Sequence, residues 1–366
     1  MRPHGNRMPP PCQRGAVAAM TPFLLIFMLA FAALAIDVAR LLIVRNQLQN
    51  AADAAALVGA GGLYPANPKP NWSNGVTQGT SAITLNATEG VKLISGQVQA
   101  GYWDLSRTKS GLQPQDITPG TNDAAAVQVT VSRSDGNNNG PVSMLLAPVF
   151  GVLSEPVQAT AVAVIAAPGR VGPGALLPVA INQCLYDKFW DSTTGQPKIN
   201  PSTGKSYVFD IYSDYINVAS YPSPMDPCWK GQWTSLTPND PGTQSAKLIK
   251  DMVTGANPTP PVALNDPIFI QSGTEASIYD AVQSQLSAAL KSGLSGWTVT
   301  VPVVSSVSTN SDQPVVAFAS ILITSVTKQG NKSYIEGSFV PNAKIAGSTG
   351  GVGPYYGAYV PPRLAW

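Results

Sequence analysis

The longest apolar stretch of the chain lies near its N-terminus and predicts a membrane-spanning helix. Residues 15–36 contain no charged side chain. A helix rises about 1.5 Å per residue, so this run is long enough to cross a hydrocarbon core of about 30 Å. Pro22 lies near the start of the run, where a missing N–H is tolerated. We therefore predict a tail over residues 1–14 and a single transmembrane helix over residues 15–36.

Charged residues return at Asp37, but nothing interrupts the helical pattern before Gly59, Gly61 and Gly62. We therefore predict that the helix continues as a stalk over residues 37–62. Small and aliphatic side chains form a narrow apolar stripe along this stalk. The stripe either packs on the chain's own globular domain or forms an assembly face against the stalks of other subunits. Its residues are Leu41, Leu48, Ala51, Ala52, Ala55 and Ala56.

The next region, residues 63–168, has the pattern of a β-rich domain. Residues 126–132 alternate between apolar and polar side chains, as in a half-buried strand, and residues 156–165 are the predicted partner strand. Between them, residues 144–150 form an apolar segment that we interpret as a short helix or as a loop under the sheet. The remainder of residues 63–120 predicts short strands joined by loops.

A Pro- and Gly-rich cluster over residues 168–174 marks the predicted boundary of a second domain, residues 175–366. Here Thr274 can cap a helix that ends at about Ser292, with apolar residues at helical spacing. Apolar runs predict strands at 176–181, 207–212, 297–304, 315–326 and 333–340. The whole chain is therefore predicted to be α+β, with a mainly antiparallel, β-rich exported region that packs at least one helix.

Composition and charge give the membrane orientation and exclude some functions. Charged residues make up 11 % and apolar residues 44 % of the chain, so the exported part is not predicted to be disordered. The net charge of +2 does not indicate nucleic-acid binding. Arg2, Arg7 and Arg14 place the excess positive charge before the span, which predicts a cytoplasmic N-terminus. A cleavable signal peptide is the alternative, but the apolar run is long for one, which favours a signal-anchor.

The three cysteines fall into two classes. Cys12 lies in the predicted cytoplasmic tail and is expected to remain a thiol, whereas Cys184 and Cys228 lie in the exported part. A disulfide between these two would close a loop and stabilise the folded state by about 4 kcal/mol on the chain-entropy model. A metal site is the alternative, but no histidine lies nearby.

Candidate catalytic and metal sites are few. The single histidine, His4, lies in the tail, so the exported region has no Ser-His-Asp, Cys-His or His-metal constellation. Residues 135–140 match the start of an EF-hand loop, but Leu146 occupies the twelfth position, and a turn is favoured over a weak Ca²⁺ site. We predict no catalytic residue, cofactor or metal. Acidic residues near aromatic ones form either solvated turns or a glycan site; they are Asp187, Asp191, Asp210, Asp214 and Asp226.

About 47 residues around the span resemble the N-terminal segment of the TadE/TadG-like proteins, which accompany the Flp (Tad) pilus assembly and secretion machinery of bacteria. The match runs without gaps through the span and the stalk. Prepilins of this system are cut after a Gly followed at the fifth position by Glu, and Met20 stands at that position here. The resemblance is therefore to the TadG-like branch, whose span is retained. The motif residues are Arg14, Gly15, Asp37, Arg40, Leu48, Gln49, Ala52 and Asp53.

This resemblance implies a non-enzymatic component of a Tad/Flp-type pilus assembly or secretion system, anchored in the bacterial inner membrane. Most of the chain would lie in the periplasm. Expected partners are the lipid bilayer and other Tad/Flp assembly proteins or pilin-like subunits, with a homo-oligomer formed through the stalk as a further expectation. The alternative function is an anchored envelope protein that binds or hydrolyses glycan through the acidic and aromatic residues.

Overall fold

The computed structural model describes residues 14–64, 69–120, 122–191, 194–213, 228, 231–242, 245–272, 276–329, 332–341, 343–345, 347–353 and 355–365. The chain forms two compact units that alternate along the sequence. The anchor unit contains the described residues among 1–52, 83–97 and 130–160. The head unit contains those among 53–82, 98–129 and 161–366.

The described residues contain five α-helices: α1 (Arg14–Gly61), α2 (Trp72–Ile83), α3 (Gln183–Phe189), α4 (Ser245–Thr254) and α5 (Ala276–Lys291). A 3₁₀ turn spans Ala147–Phe150. The strands up to residue 171 are β1 (Ala87–Thr88), β2 (Val91–Lys92), β3 (Gln97–Asp104), β4 (Asp123–Arg133), β5 (Val142–Ser143), β6 (Ser154–Glu155), β7 (Val157–Ala166) and β8 (Pro168–Val171).

The later strands all belong to the head unit. They are β9 (Val179–Asn182), β10 (Trp190–Asp191), β11 (Gln196–Pro197), β12 (Ile199–Asn200), β13 (Lys205–Ser206), β14 (Phe209–Ser213), β15 (Gly231–Trp233), β16 (Val262–Ala263), β17 (Pro267–Ile270), β18 (Trp297–Val304), β19 (Ser311–Gln329), β20 (Lys332–Phe339), β21 (Ala343–Lys344), β22 (Gly347–Val352) and β23 (Ala358–Leu364).

The N-terminal helix is continuous, as predicted: α1 runs for 48 residues with Pro22 inside it. Its apolar side chains between Met20 and Ile36 are largely exposed, and α1 is long and apolar enough to cross a membrane. Burial begins at Asp37, and Val44 and Leu48 are fully buried. The same helix is therefore an exposed apolar span in its first part and a packed stalk in its second.

Within the head unit, the end of α1 crosses α2 at glycines. A methyl group added to Gly59 would lie 2.9 Å from Val127 Cγ1 and 3.0 Å from the carbonyl oxygen of Gly75, and one on Gly79 would lie 3.4 Å from the carbonyl oxygen of Ala55. The sequence predicted only short strands and loops in residues 63–120, and this prediction was wrong for α2. Gly75 and Gly79 lower helix propensity but permit close packing of the two helices.

Two larger sheets carry most of the strands. The order of the first is β21-β23-β7-β4-β3, which confirms the predicted pairing of residues 126–132 with residues 156–165. Its strand β23 comes from the C-terminal stretch, for which the sequence predicted no strand. A small core under the head-unit part of this sheet is formed by Ala124, Ala126, Val164 and Ala166.

The second sheet lies wholly in the head unit and has the order β14-β20-β19-β18-β9-β15, with β17 also paired to β19. All of its pairings are antiparallel except β18 with β9. Helix α5 packs on β19 and on α4, and the Tyr279 hydroxyl donates to the Ser333 carbonyl at 3.1 Å. The predicted helix and strands are thereby confirmed, whereas α4 was missed. Thr274, the predicted cap of the helix, lies outside the described residues. The α+β class is also confirmed.

The predicted disulfide between Cys184 and Cys228 is present, with Cα atoms 5.1 Å apart. Asn182 caps α3, because its side chain accepts a hydrogen bond from the Cys184 N–H at 3.0 Å. Cys12 lies outside the described residues. The predicted domain boundary over 168–174 stays a prediction; part of that cluster forms β8, which pairs with β16 and β22.

The glycine crossing yields a test of the stalk packing. We expect Gly59→Ala to lower the free energy of unfolding by about 1–3 kcal/mol, because overpacking outweighs the gain of about 1 kcal/mol in helix propensity. Gly61→Ala is the matched control, since its new methyl group would meet only Pro362 Cγ at 3.6 Å. Urea unfolding in detergent measures both variants. Equal stability of the two would contradict close packing at Gly59.

Candidate functional site

One face of α1 carries polar side chains that bind the rest of the anchor unit. Asp37, Arg40, Val44, Gln47 and Leu48 follow each other at spacings of three and four residues or lie next to each other, so they share a helix face. We call the contacts made by α1 residues 37–49 within the anchor unit the anchor junction. It begins at the residue where the apolar span ends.

Asp37 binds three consecutive backbone N–H groups. Its carboxylate accepts from Leu145 at 2.8 Å, from Leu146 at 3.0 Å and from Ala147 at 2.7 Å. The side chain is almost fully buried, with 2 % of its surface exposed. A buried carboxylate needs several donors to offset the loss of its hydration. The residues that lead into the 3₁₀ turn supply them. This contact fixes the loop after β5 to the end of the span.

Arg40 and Arg133 hold Glu89 between them. Arg40 Nε donates to one carboxylate oxygen of Glu89 at 2.6 Å, and Arg133 Nη1 donates to the other at 3.1 Å. Arg40 Nη1 also donates to the Ser143 carbonyl at 2.7 Å, and Arg133 Nε donates to the Gly140 carbonyl at 2.8 Å. The bond from Arg40, with a further one from Arg133, lowers the pKa of Glu89 below its ordinary value.

Two glutamines extend the junction along the helix. Gln47 Oε1 accepts hydrogen bonds from the Thr88 hydroxyl at 3.0 Å and from the Glu89 N–H at 2.9 Å. Gln49 Nε2 donates to the Thr160 carbonyl at 3.3 Å. Glu89 has a positive φ of 49°, and the bond from its N–H to Gln47 holds this turn against α1.

The partners of α1 come in a fixed order along the helix. Asp37 meets residues 145–147 and Arg40 meets residue 143, while Gln47 meets residues 88–89 and Gln49 meets Thr160. The chain therefore runs from residue 143 to residue 147 toward the apolar part of α1. Strand β7 contacts α1 at Gln49, at the end of the anchor junction that is farthest from this apolar part. The β5–β6 hairpin points its loop toward the span.

The EF-hand-like segment is a turn within this unit. Asn138 is buried, and its side chain bonds the N–H groups of Ile94 and Ser95 and the carbonyls of Ser95 and Ser132 at 2.8–3.0 Å. The side-chain amide of Asn138 is therefore fully hydrogen-bonded to backbone groups of residues 94, 95 and 132. Among the described residues, no group of His, Cys, Asp and Glu could hold a metal ion.

The junction brings together four of the motif residues, Asp37, Arg40, Leu48 and Gln49. Asp53 belongs to the head unit, and Arg14 and Gly15 lie in the first turn of α1. Within the predicted assembly face, Leu48, Ala51, Ala52, Ala55 and Ala56 are fully buried inside the chain and Leu41 is half-buried. This burial favours the alternative in which the stripe packs on the chain's own domain. Contact of the stripe with another subunit stays a prediction.

Sequence reasoning missed the residues that complete the junction around the motif, namely Gln47, Thr88, Glu89, Arg133 and Ser143. They are separated from Arg40 by up to 103 residues, and a single sequence gives no signal of such a contact. A lone Glu and a lone Arg in a β-rich region are ordinary surface residues by composition.

The predicted acidic cluster is only partly described. Asp187 is exposed, Asp191 accepts a hydrogen bond from the Thr194 hydroxyl at 2.9 Å, and Asp210 is buried opposite Glu336 in the β14–β20 pair. Asp214 and Asp226 lie outside the described residues. The aromatic-rich cavity of the head unit, about 960 Å³, lies elsewhere and is lined by Tyr64, Trp72, Tyr102, Tyr355 and Tyr359.

Two family models match the chain. One, described as putative Flp pilus-assembly TadE/G-like, matches residues 15–62. The other, described as putative Tad-like Flp pilus-assembly, matches residues 45–163. Searches of curated proteins and of solved structures gave no match. The two models together cover every residue of the anchor unit from Gly15 onward, so the resemblance seen in the sequence is confirmed and extends beyond the stalk.

The Asp37 contact predicts a local change on substitution. Asp37→Ala leaves three N–H groups without their acceptor, so we expect the amides of residues 145–147 to exchange about 30-fold faster or more, equivalent to about 2 kcal/mol. Hydrogen exchange of the protein in detergent measures this. Glu155→Ala is the control, because it removes an exposed carboxylate from the same hairpin. Unchanged exchange in the Asp37 variant would mean that the carboxylate does not hold the loop.

The Glu89 contact predicts a pH dependence. Because its folded pKa lies below the ordinary value of 4.5, ionised Glu89 stabilises the fold above about pH 4.5, and this contribution is lost as the pH falls through the folded pKa. The difference in Tm between the native chain and Glu89→Gln should therefore be largest near neutral pH and shrink in acid. A constant difference from pH 7 to pH 3 would rule out a stabilising charge on Glu89.

Proposed function

We propose that this chain, a Tad-like Flp pilus-assembly protein over residues 15–163, is a non-enzymatic component of a Tad/Flp-type pilus assembly or secretion system. It is anchored in the inner membrane by α1 and acts through the rest of the chain in the periplasm. The observation that carries the proposal is the anchor junction, where motif residues at the end of an apolar helix tie that helix to the exported region.

The junction suits an anchor better than a catalytic site. Its charged groups are each bound to the backbone or to one another: Asp37 to three N–H groups, Arg40 and Arg133 to Glu89. Such groups are already satisfied and have no free acid, base or nucleophile for a substrate. Their effect is to fix the rest of the anchor unit at one height and rotation on the helix.

The orientation follows from charge. The tail before the span contains Arg2, Arg7 and Arg14 and no acidic residue, which favours a cytoplasmic N-terminus. The disulfide between Cys184 and Cys228 supports an oxidising compartment for the head unit. Because Met20 replaces the Glu of prepilins, we infer that α1 keeps its apolar span as a permanent anchor.

The exposed face of the stalk is the surface that we propose for assembly with other Tad/Flp subunits or with a second copy. Ala52 and its buried neighbours are occupied by the chain's own residues, whereas Arg45, Asn46, Asn50 and Ala54 are exposed along the same helix. Small and polar side chains on this face permit another helix to approach closely.

The test is piliation of a strain in which the gene for this chain is deleted and then restored with variants. We expect deletion to abolish Flp pili and the native chain to restore them. Ala54→Trp should keep the protein folded but reduce piliation strongly, because a bulky side chain blocks the exposed face. Ala52→Glu should instead unfold the stalk, because it places a charge in a fully buried position.

Protease resistance of the head unit in membranes separates the two variants. A folded Ala54→Trp protein with normal pili would remove the exposed stalk face as an assembly surface. Normal pili in the deletion strain itself would contradict the proposed function altogether.

A further inference from the structure

The loop of the β5–β6 hairpin exposes an unusual number of large apolar side chains. We call residues Met144–Leu153 the tip loop. Leu145 is 61 % exposed, Val149 83 %, Phe150 66 % and Leu153 70 %. The ten residues of the loop contain no charged and no polar side chain. A continuous apolar patch of this kind on a protein surface marks a contact with a partner or with lipid.

The tip loop has a regular backbone conformation, which holds these side chains at the surface. Its central residues form the 3₁₀ turn Ala147–Phe150, and Gly151 follows with a φ of 86°, a conformation that glycine adopts without strain. The base is closed by the Met144 N–H donating to the Leu153 carbonyl at 3.0 Å. The apolar side chains are therefore held outward by an ordered backbone.

Most backbone donors of the loop have acceptors within the protein. Asp37 accepts from residues 145–147, and the N–H groups of Val149, Gly151 and Val152 donate to carbonyls within the loop at 3.0–3.3 Å. Pro148 has no N–H to satisfy. Non-helical backbone enters a lipid environment only when its polar groups have such partners. The hydrogen bonding of the loop is therefore compatible with contact with lipid.

The position of the loop points to one partner. Asp37 follows directly on the apolar residues 15–36, and the chain from Ser143 to Ala147 runs along α1 toward that apolar part. The tip loop therefore lies at the level where the span ends. On α1 itself, Val38, Leu42 and Ile43 are also exposed near this level.

We propose that the tip loop inserts into the periplasmic leaflet of the membrane beside α1, as a second membrane contact of the chain. The inference rests on the proposed function in one respect, namely that α1 spans the bilayer. Val149, Phe150 and Leu153 enter the interface between head groups and acyl chains, and Asp37 holds the loop there. With two contacts, the anchor unit is fixed in tilt and rotation relative to the membrane, which a single helix does not achieve.

Site-directed spin labelling of the full-length chain in phospholipid nanodiscs tests the proposal. In a Cys12→Ser background, which retains the disulfide, single labels are placed through Val149→Cys, Leu85→Cys and Leu29→Cys. Leu85 is the matched control: it is 85 % exposed and lies three residues before Thr88, which binds Gln47, about 15 Å farther along α1 than Asp37. Leu29, 61 % exposed, reports on the span.

Collisions of each label with oxygen, which concentrates in lipid, and with a water-soluble nickel chelate are compared. We expect the ratio of oxygen to nickel collisions to be several-fold higher at residues 149 and 29 than at residue 85. If residue 149 behaves like residue 85, the tip loop lies in water and the proposal fails. If residue 149 is shielded from both reagents, a protein partner or a second copy covers the loop, which also overturns it.

The label at residue 29 separates this proposal from the proposed function. A lipid-exposed label at 29 with a water-exposed label at 149 removes the second membrane contact alone. A label at 29 that collides mainly with nickel means that α1 does not span the bilayer, and the proposed anchor then fails together with the tip loop.

Discussion

The fold depends on where the charge of Asp37 can be placed. A carboxylate directly after an apolar span must keep water or find protein donors, because leaving it buried and unpaired is costly. Here residues 145–147 supply three N–H groups at 2.7–3.0 Å. Those residues occupy this position only if β5 and β6 form their hairpin beside α1. One side chain thus couples the end of the span to a loop more than 100 residues away in sequence.

The second constraint is close approach at the other end of α1. Gly59 and Gly75 meet with so little space that an added methyl group would lie 3.0 Å from a carbonyl oxygen. Glycines weaken a helix, yet here they allow α2 to pack on α1 without side chains between them. Between these two points the stalk itself carries small residues such as Ala51 and Ala55, both of which are fully buried. The helix is thereby held by polar contacts near the span and by backbone proximity at its far end.

Local patterns in the sequence predicted much of this structure. The uninterrupted run from Gly15, the alternation in residues 126–132 and the spacing in α5 each reflect a periodicity that a single element imposes, and all three elements are present. Helix α2 was missed because Gly75 and Gly79 are normally helix breakers, and their role requires knowledge of α1 as neighbour. The partners of Arg40 were missed for a similar reason: the contact of Arg40 with Glu89 and Ser143 depends on the hairpin topology, which no local pattern specifies.

The stalk prediction shows how a sequence can indicate a helix face while the partner of that face stays open. Small residues at Ala52 and Ala56 indicate that something packs closely, and both are fully buried. Spacing cannot distinguish a second subunit from the same chain, since either supplies an apolar surface. What distinguishes them is the rest of the face. The adjacent polar residues Gln47 and Gln49 bond the backbone of residues 89 and 160, and such contacts require a fixed register. A partner covalently connected to the helix provides that register directly. The burial of the stripe therefore favours packing on the chain itself, and the exposed face is the one that we propose for assembly.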